Sequence, residues 1–86
     1  MDGLRIFWTQ TAINQRNLIF EYWNKRNQSK AYSQKLNKKI KERIKLLKVN
    51  PFLGKKTDYN QAWIISLGHY SIVYRKIYHH IIIIGF

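Results

Sequence analysis

Histidine is the side chain best suited to proton transfer near neutral pH, because its unperturbed pKa lies there. The sequence has three histidines, His69, His79 and His80. All three stand among residues that predict turns, so solvated turn residues are a simpler interpretation than catalysis. Adjacent His79 and His80 would point to opposite sides of an extended segment, and no cysteine or cluster of acids completes a ligand set. We therefore expect no catalytic residue, no metal and no cofactor.

Positive charge is the strongest feature of the composition. Sixteen Lys and Arg against four Asp and Glu give a formal net charge of +12 over 86 residues. This excess destabilises the isolated chain by self-repulsion and indicates an anionic partner, whether nucleic acid, an acidic protein segment or a membrane surface. The absence of cysteine suits a reducing compartment, so we expect a cytoplasmic protein. The run IIIIGF is far shorter than the about 20 apolar residues of a membrane helix, and we expect no membrane partner.

The helices and strands that must position the remaining polar residues are predicted from changes in the spacing of apolar residues along the chain. The short run Leu4–Trp8 predicts a first strand, and Thr9 or Thr11 can cap a helix that continues to about Lys25. After the turn-forming NKRNQS, a hydroxyl at position 29 can cap a second helix that continues to about position 49. The sequence NPFLG then ends that helix, because the residue before proline disfavours helical geometry.

The last third of the chain is β-prone. The segments QAWIISL, YSIVYRKI and HIIIIGF are rich in Ile, Val, Tyr and Trp, and their short connections predict an antiparallel meander. The last strand is apolar on both sides, which is typical of a strand inside a sheet. We expect one α+β domain over residues 1–86, of order β-α-α-β-β-β, with a helical hairpin packed on one face of a small antiparallel sheet. The predicted core comprises Ile19, Leu36, Ile40, Ile44, Trp63, Ile65, Ile72 and Tyr74.

The order and spacing of three segments resemble the RelE/ParE superfamily, the toxic halves of bacterial toxin–antitoxin operons. These segments are WTQTAI at the first helix, NPFLG after the second, and WIISLGHYSIVYRKIYHHIIII, which has a glycine turn, a Tyr-x-ϕ-ϕ-Tyr strand and an aliphatic final strand. The resemblance covers nearly the whole chain. It implies a toxin of a type II toxin–antitoxin system that is neutralised by an acidic antitoxin.

The resemblance also separates two activities within the superfamily. RelE-like members, which cut messenger RNA on the ribosome, place an Arg after the first Tyr of that strand, where this chain has Ser71. The outward positions of the preceding strand are predicted to be Ala62 and Ile64, neither of which can transfer a proton or hold a phosphate. RNA scission needs an acid, a base and a cationic group within hydrogen-bond reach. We therefore favour the ParE-like branch, a non-enzymatic inhibitor of a protein target such as DNA gyrase.

Two surfaces follow from this interpretation. Because side chains alternate across a strand, Ser71, Val73 and Arg75 share the outward face of the middle strand and are the predicted target contacts. The predicted antitoxin contacts lie on the basic helical hairpin: Tyr22, Trp23, Tyr32, Lys35 and Lys39. The alternatives are a RelE-like endoribonuclease and a non-toxic basic nucleic-acid-binding module. Between Asn24 and Lys56 there are twelve basic residues and one acid, so non-specific nucleic-acid affinity is also expected.

Overall fold

A computed structural model describes residues 4–58 and 61–86. Two helices and five strands occur in this part of the chain. Their bounds are β1 Arg5–Trp8, α1 Gln10–Asn27, α2 Ala31–Val49, β2 Lys55–Lys56, β3 Trp63–Leu67, β4 Tyr70–Ile77 and β5 His80–Gly85. The α+β class and the predicted order of elements are confirmed. One short strand, β2, was not predicted, because two lysines carry no apolar alternation.

The sheet has the strand order β1-β5-β4-β3-β2. The meander β3, β4 and β5 is antiparallel as predicted, and β5 lies inside the sheet. The first strand runs parallel to the last, with Ile6 opposite Ile81 and Trp8 opposite Ile83. The sheet is therefore mixed, since the helical hairpin carries the chain away after β1 and the meander returns it alongside. Ile81 and Ile83 face the core and are fully buried, whereas Ile82 and Ile84 on the other face of β5 are partly buried.

Polar side chains connect the helices to the sheet and to each other. Thr9 is the N-cap of α1: its hydroxyl accepts the Ala12 N–H at 3.1 Å and donates to the Ile83 carbonyl at 3.1 Å. The second helix begins one residue later than Ser29 would place it, and the Ser29 hydroxyl accepts the Ala31 N–H at 3.1 Å. The first helix ends at Asn27, two residues beyond the predicted end.

The core lies between the helical hairpin and one face of the sheet. Five of the predicted core residues are buried: Leu36, Ile40, Ile65, Ile72 and Tyr74. The other three are partly buried and pack against that core: Ile19, Ile44 and Trp63. The sequence did not identify Ile81 and Ile83 as core residues, although both are fully buried.

The prediction that Ala62 faces outward is wrong. Ala62 is 1% exposed, whereas Ile64 is 37% exposed as expected for an outward position. The alternation of β3 begins only at Trp63, because Gln61 has a left-handed φ of 54° and turns the chain just before it. The Ala62 carbonyl also accepts the Thr57 N–H at 2.8 Å, which places Ala62 beneath the preceding segment.

Candidate functional site

An aromatic cluster joins the helical hairpin to the sheet. The Trp23 ring lies 4.6 Å from the Tyr32 ring and 5.1 Å from the Tyr22 ring, measured between centroids. The Trp23 Nε1 donates to the Tyr70 hydroxyl at 2.7 Å, and the Tyr70 ring stacks on Phe86 at 5.9 Å. Trp23 lies near the end of α1 and Tyr32 in the first turn of α2, so the short connection between the helices brings them together. We call these five residues the aromatic cluster.

A basic cleft adjoins this cluster. It has a volume of about 230 Å³ and lies between the first half of α2 and the turn after β3. The residues that line it are Tyr32, Lys35, Leu36, Lys39, Leu67, Gly68 and His69. Leu36 and Leu67 are buried and form an apolar floor, while Lys35 and Lys39 are exposed at the rim. All five predicted antitoxin contacts therefore lie along one continuous surface, because Tyr32 belongs to both the cluster and the cleft.

The turn that forms one wall of the basic cleft is held against α2. The Arg43 Nε donates to the Ser66 carbonyl at 3.1 Å, which links the helix to the end of β3. Gly68 follows with a φ of 67°, a left-handed conformation that glycine adopts without steric cost. Sequence analysis treated Arg43 only as one of many basic residues, since a contact over 23 positions has no local signal.

The outward face of the sheet forms a second surface. Ser71, Val73 and Arg75 share this face and are all partly buried. In the sheet register Val73 lies opposite Ile64 of β3, and Arg75 lies opposite Ile82 of β5, whose other neighbour is Phe7. Ile64 is 37% and Phe7 49% exposed. The residues that define the outward sheet face are Phe7, Ile64, Ser71, Val73, Arg75 and Ile82.

Sequence analysis did not find the apolar part of this face. Phe7 comes from the first strand and reaches Ile82 only through parallel pairing with the last strand. The ring of Phe7 also contacts His80 edge to face, with 5.1 Å between centroids. Alternation within β4 identified Val73, but no local pattern could place Phe7 beside it.

Tyr74, on the inward face of β4, fixes the loop that follows α2. Its hydroxyl accepts the Gly54 N–H at 3.1 Å and donates to the Pro51 carbonyl at 3.0 Å. Burial raises the pKa of the Tyr74 hydroxyl, and the bond from Gly54 opposes that shift. A Cβ at Gly54 would lie 2.7 Å from the Ile64 carbonyl oxygen, so the loop approaches β3 as closely as glycine allows. The NPFLG segment and the second Tyr of YSIVY therefore form one structural unit.

The histidines do not gather into a site. His69 lines the basic cleft, His79 is exposed in the turn before β5, and His80 packs on Phe7. Within residues 4–58 and 61–86, no three His, Cys, Asp or Glu side chains are close enough to hold a metal ion. No helix in these two segments is long and apolar enough to cross a membrane.

Comparison with known proteins agrees with this geometry. A family model described as the ParE toxin of type II toxin–antitoxin system, parDE, matches residues 6–86. The structure is similar to a chain of the chromosomal ParDE TA system from P. aeruginosa, with a TM-score of 0.78 and 19% sequence identity over 95% of this chain and 91% of that chain. No curated protein sequence matches. At 19% identity the structural similarity shows a shared fold only. The family model shows the family, because it matches residues 6–86. The chain therefore belongs to the ParE toxin family of type II toxin–antitoxin systems.

Proposed function

We propose that this toxin inhibits DNA gyrase through the outward sheet face and is neutralised by an acidic antitoxin segment bound at the aromatic cluster and the basic cleft. The observation that carries the proposal is the continuity of Tyr22, Trp23, Tyr32, Lys35 and Lys39 along one side of the helical hairpin. The two surfaces lie on different parts of the molecule, so substitutions in each can be tested separately.

The basic cleft is suited to an apolar side chain followed by a carboxylate. The buried floor of Leu36 and Leu67 removes an apolar side chain from water, and the lysines at the rim attract the charge beside it. Tyr22 is 55% exposed and extends this surface with an aromatic ring, a side chain enriched at protein interfaces. An acidic segment that is disordered when free would fold as it docks along the hairpin.

The outward sheet face is suited to a protein partner. It combines an exposed aromatic ring, aliphatic side chains and one Arg, and aromatic residues and Arg are the types that dominate binding energy at interfaces. Arg75 lies opposite Ile82, and Ser71 lies opposite Ser66. The residues directly opposite Arg75 and Ser71 are therefore neither acids nor bases, which favours contact over RNA scission.

The test compares two activities of the purified toxin. We expect it to inhibit supercoiling by gyrase and to leave ribosome-bound messenger RNA intact, and we expect the cognate antitoxin to restore supercoiling. Inhibition is read from plasmid topoisomers, and message integrity from primer extension. Codon-dependent cleavage of the message would overturn the proposal in favour of the RelE-like activity.

A further inference from the structure

The second helix carries basic residues on two different flanks. With 3.6 residues per turn, the buried Leu36, Ile40 and Leu47 mark the inward side of α2. Four lysines at steps of three and four residues lie on one flank: Lys38, Lys41, Lys45 and Lys48. We call these four the lysine stripe. Lys39 of the basic cleft lies on the opposite flank of α2, whereas Lys35 is one step of three residues from Lys38, so the cleft and the stripe adjoin at these two lysines.

The lysine stripe is accessible and carries little compensating charge. All four of its lysines are exposed, and they line a shallow groove of about 380 Å³ together with Ile44 and Glu42. Glu42 is the single acid in this lining. Lys25 and Glu21 form an ion pair at 4.0 Å, but both residues are on α1 and not in the stripe. Like charges three and four residues apart destabilise a helix, so the free protein maintains the stripe at a cost in stability.

We propose that the lysine stripe binds the phosphate backbone of nucleic acid without reading its sequence. The stripe covers the eleven residues from Lys38 to Lys48, so its ends are about 15 Å apart, which corresponds to about four successive phosphates of one strand of a duplex. Its lysines are point charges that suit phosphates, and it contains no Arg fork for bidentate contact with guanine.

An acidic protein segment fits the stripe less well. The basic cleft offers such a segment a buried apolar floor and neighbouring aromatic rings, whereas the stripe groove is lined by its four lysines with Ile44 and Glu42. Lys41, Lys45 and Lys48 do not line the cleft, so they remain accessible when an antitoxin segment occupies it. This inference is independent of the proposed gyrase target.

The experiment measures binding to a labelled duplex of about 20 base pairs by fluorescence anisotropy, at salt concentrations between about 50 and 200 mM. The stripe variant replaces Lys38, Lys41, Lys45 and Lys48 by Gln. The matched control makes the same charge change at exposed lysines elsewhere: Lys25, Lys30, Lys55 and Lys56. Thermal melting by circular dichroism confirms that both variants fold.

We expect the stripe variant to bind the duplex more than about tenfold more weakly than the wild type. The slope of log K against log salt concentration should also be shallower by about 3 to 4. The control should lose less on both measures, and two duplexes of unrelated sequence should bind alike. Equal losses in the two variants would overturn the proposal, because net charge alone would then explain binding. A parallel titration with single-stranded RNA shows whether the stripe prefers the phosphates of duplex DNA or those of RNA.

Acetylation of the wild-type protein gives a second readout that does not depend on variants. Bound duplex should protect Lys38, Lys41, Lys45 and Lys48 from acetylation and leave Lys39 reactive. Protection of the cleft lysines instead would overturn the assignment of the stripe. Antitoxin binding by the stripe variant should match the wild type. A selective loss of antitoxin affinity with normal duplex binding would identify the occupant as a protein segment.

Discussion

At the residue scale, the Tyr74 hydroxyl holds together two segments that lie far apart in the sequence. It bonds to Gly54 and Pro51, 20 and 23 positions away. The second of these bonds satisfies a carbonyl that follows α2, and the first satisfies an N–H next to β2. One buried oxygen therefore fixes the position of the loop along β3.

Replacing Tyr74 by Phe tests this role. The Gly54 N–H and the Pro51 carbonyl would lose their partner, and we expect the free energy of unfolding to fall by about 1–3 kcal/mol. Because burial raises the folded-state pKa above 10.0, the neutral hydroxyl stabilises the fold below that pH, and stability falls as pH rises through the folded pKa. Urea unfolding from neutral pH to about pH 11 should show a smaller alkaline loss in the variant. If the wild type and the variant lost the same free energy of unfolding at alkaline pH, the raised pKa of Tyr74 would be contradicted.

Gly54 provides a steric test of the same unit. An alanine Cβ there would meet the Ile64 carbonyl oxygen at 2.7 Å, so backbone must move, and we expect a loss of about 1–3 kcal/mol. Gly85→Ala is the control, because its Cβ would meet Val73 at an ordinary 3.5 Å. Urea denaturation of both variants measures the difference. Similar stabilities would show that the loop is not held against β3.

At the scale of elements, α2 has three different sides. Its inward side contributes Leu36, Ile40 and Leu47 to the core, and the two flanks carry the basic cleft and the lysine stripe. A single helix can do this because positions three and four residues apart repeat on one side. The core contact holds both charged flanks in fixed positions relative to the sheet.

Ile40 tests the inward side of α2. It is 1% exposed, so Ile40→Ala should lower the free energy of unfolding by about 2–5 kcal/mol through lost burial and the cavity that remains. Val49→Ala on the same helix is the control, because Val49 is 85% exposed. Chemical denaturation reports both values. A loss at Ile40 well under about 1 kcal/mol would place it outside the core.

The basic cleft makes a kinetic prediction. Lys35→Glu combined with Lys39→Glu should slow association with the antitoxin and flatten its salt dependence, because the charges that steer the encounter are reversed. The control pair Lys48→Glu and Lys56→Glu changes net charge equally at exposed positions outside the cleft and the aromatic cluster. Stopped-flow fluorescence measures the rates. If both pairs slow association equally, overall charge rather than the cleft directs binding.

At the scale of the whole molecule, the helical hairpin covers one face of the sheet and leaves the other open. The surfaces that we propose for the antitoxin and for the target lie on different parts of the fold, and variants should separate their effects. Arg75→Glu should weaken gyrase inhibition by about tenfold or more, as expected for a charged residue central to an interface, and leave antitoxin affinity unchanged. Supercoiling assays and calorimetric titration with antitoxin measure the two effects. A change at Arg75 that alters antitoxin affinity alone would reverse the assignment of the two surfaces.

The sequence by itself determined the class and order of the elements. The spacing of Leu36 and Ile40 indicated a helix with one apolar side, alternation placed Ile72 and Tyr74 inward, and NPFLG marked the end of α2. These features depend on interactions between residues a few positions apart, which local periodicity records directly. The concentration of lysines beside aromatic residues, together with the family resemblance, identified the candidate contacts of the hairpin.

Only the tertiary structure decided which distant residues meet. The parallel pairing of β1 with β5 brings Phe7 beside Ile82, and the hydrogen bond from Trp23 to Tyr70 spans 47 positions. The basic cleft exists because the turn at Gly68 lies against α2. Such contacts depend on the packing free energy of the whole sheet and hairpin. No single segment encodes them, because the apolar pattern of one strand or helix is compatible with several different neighbours.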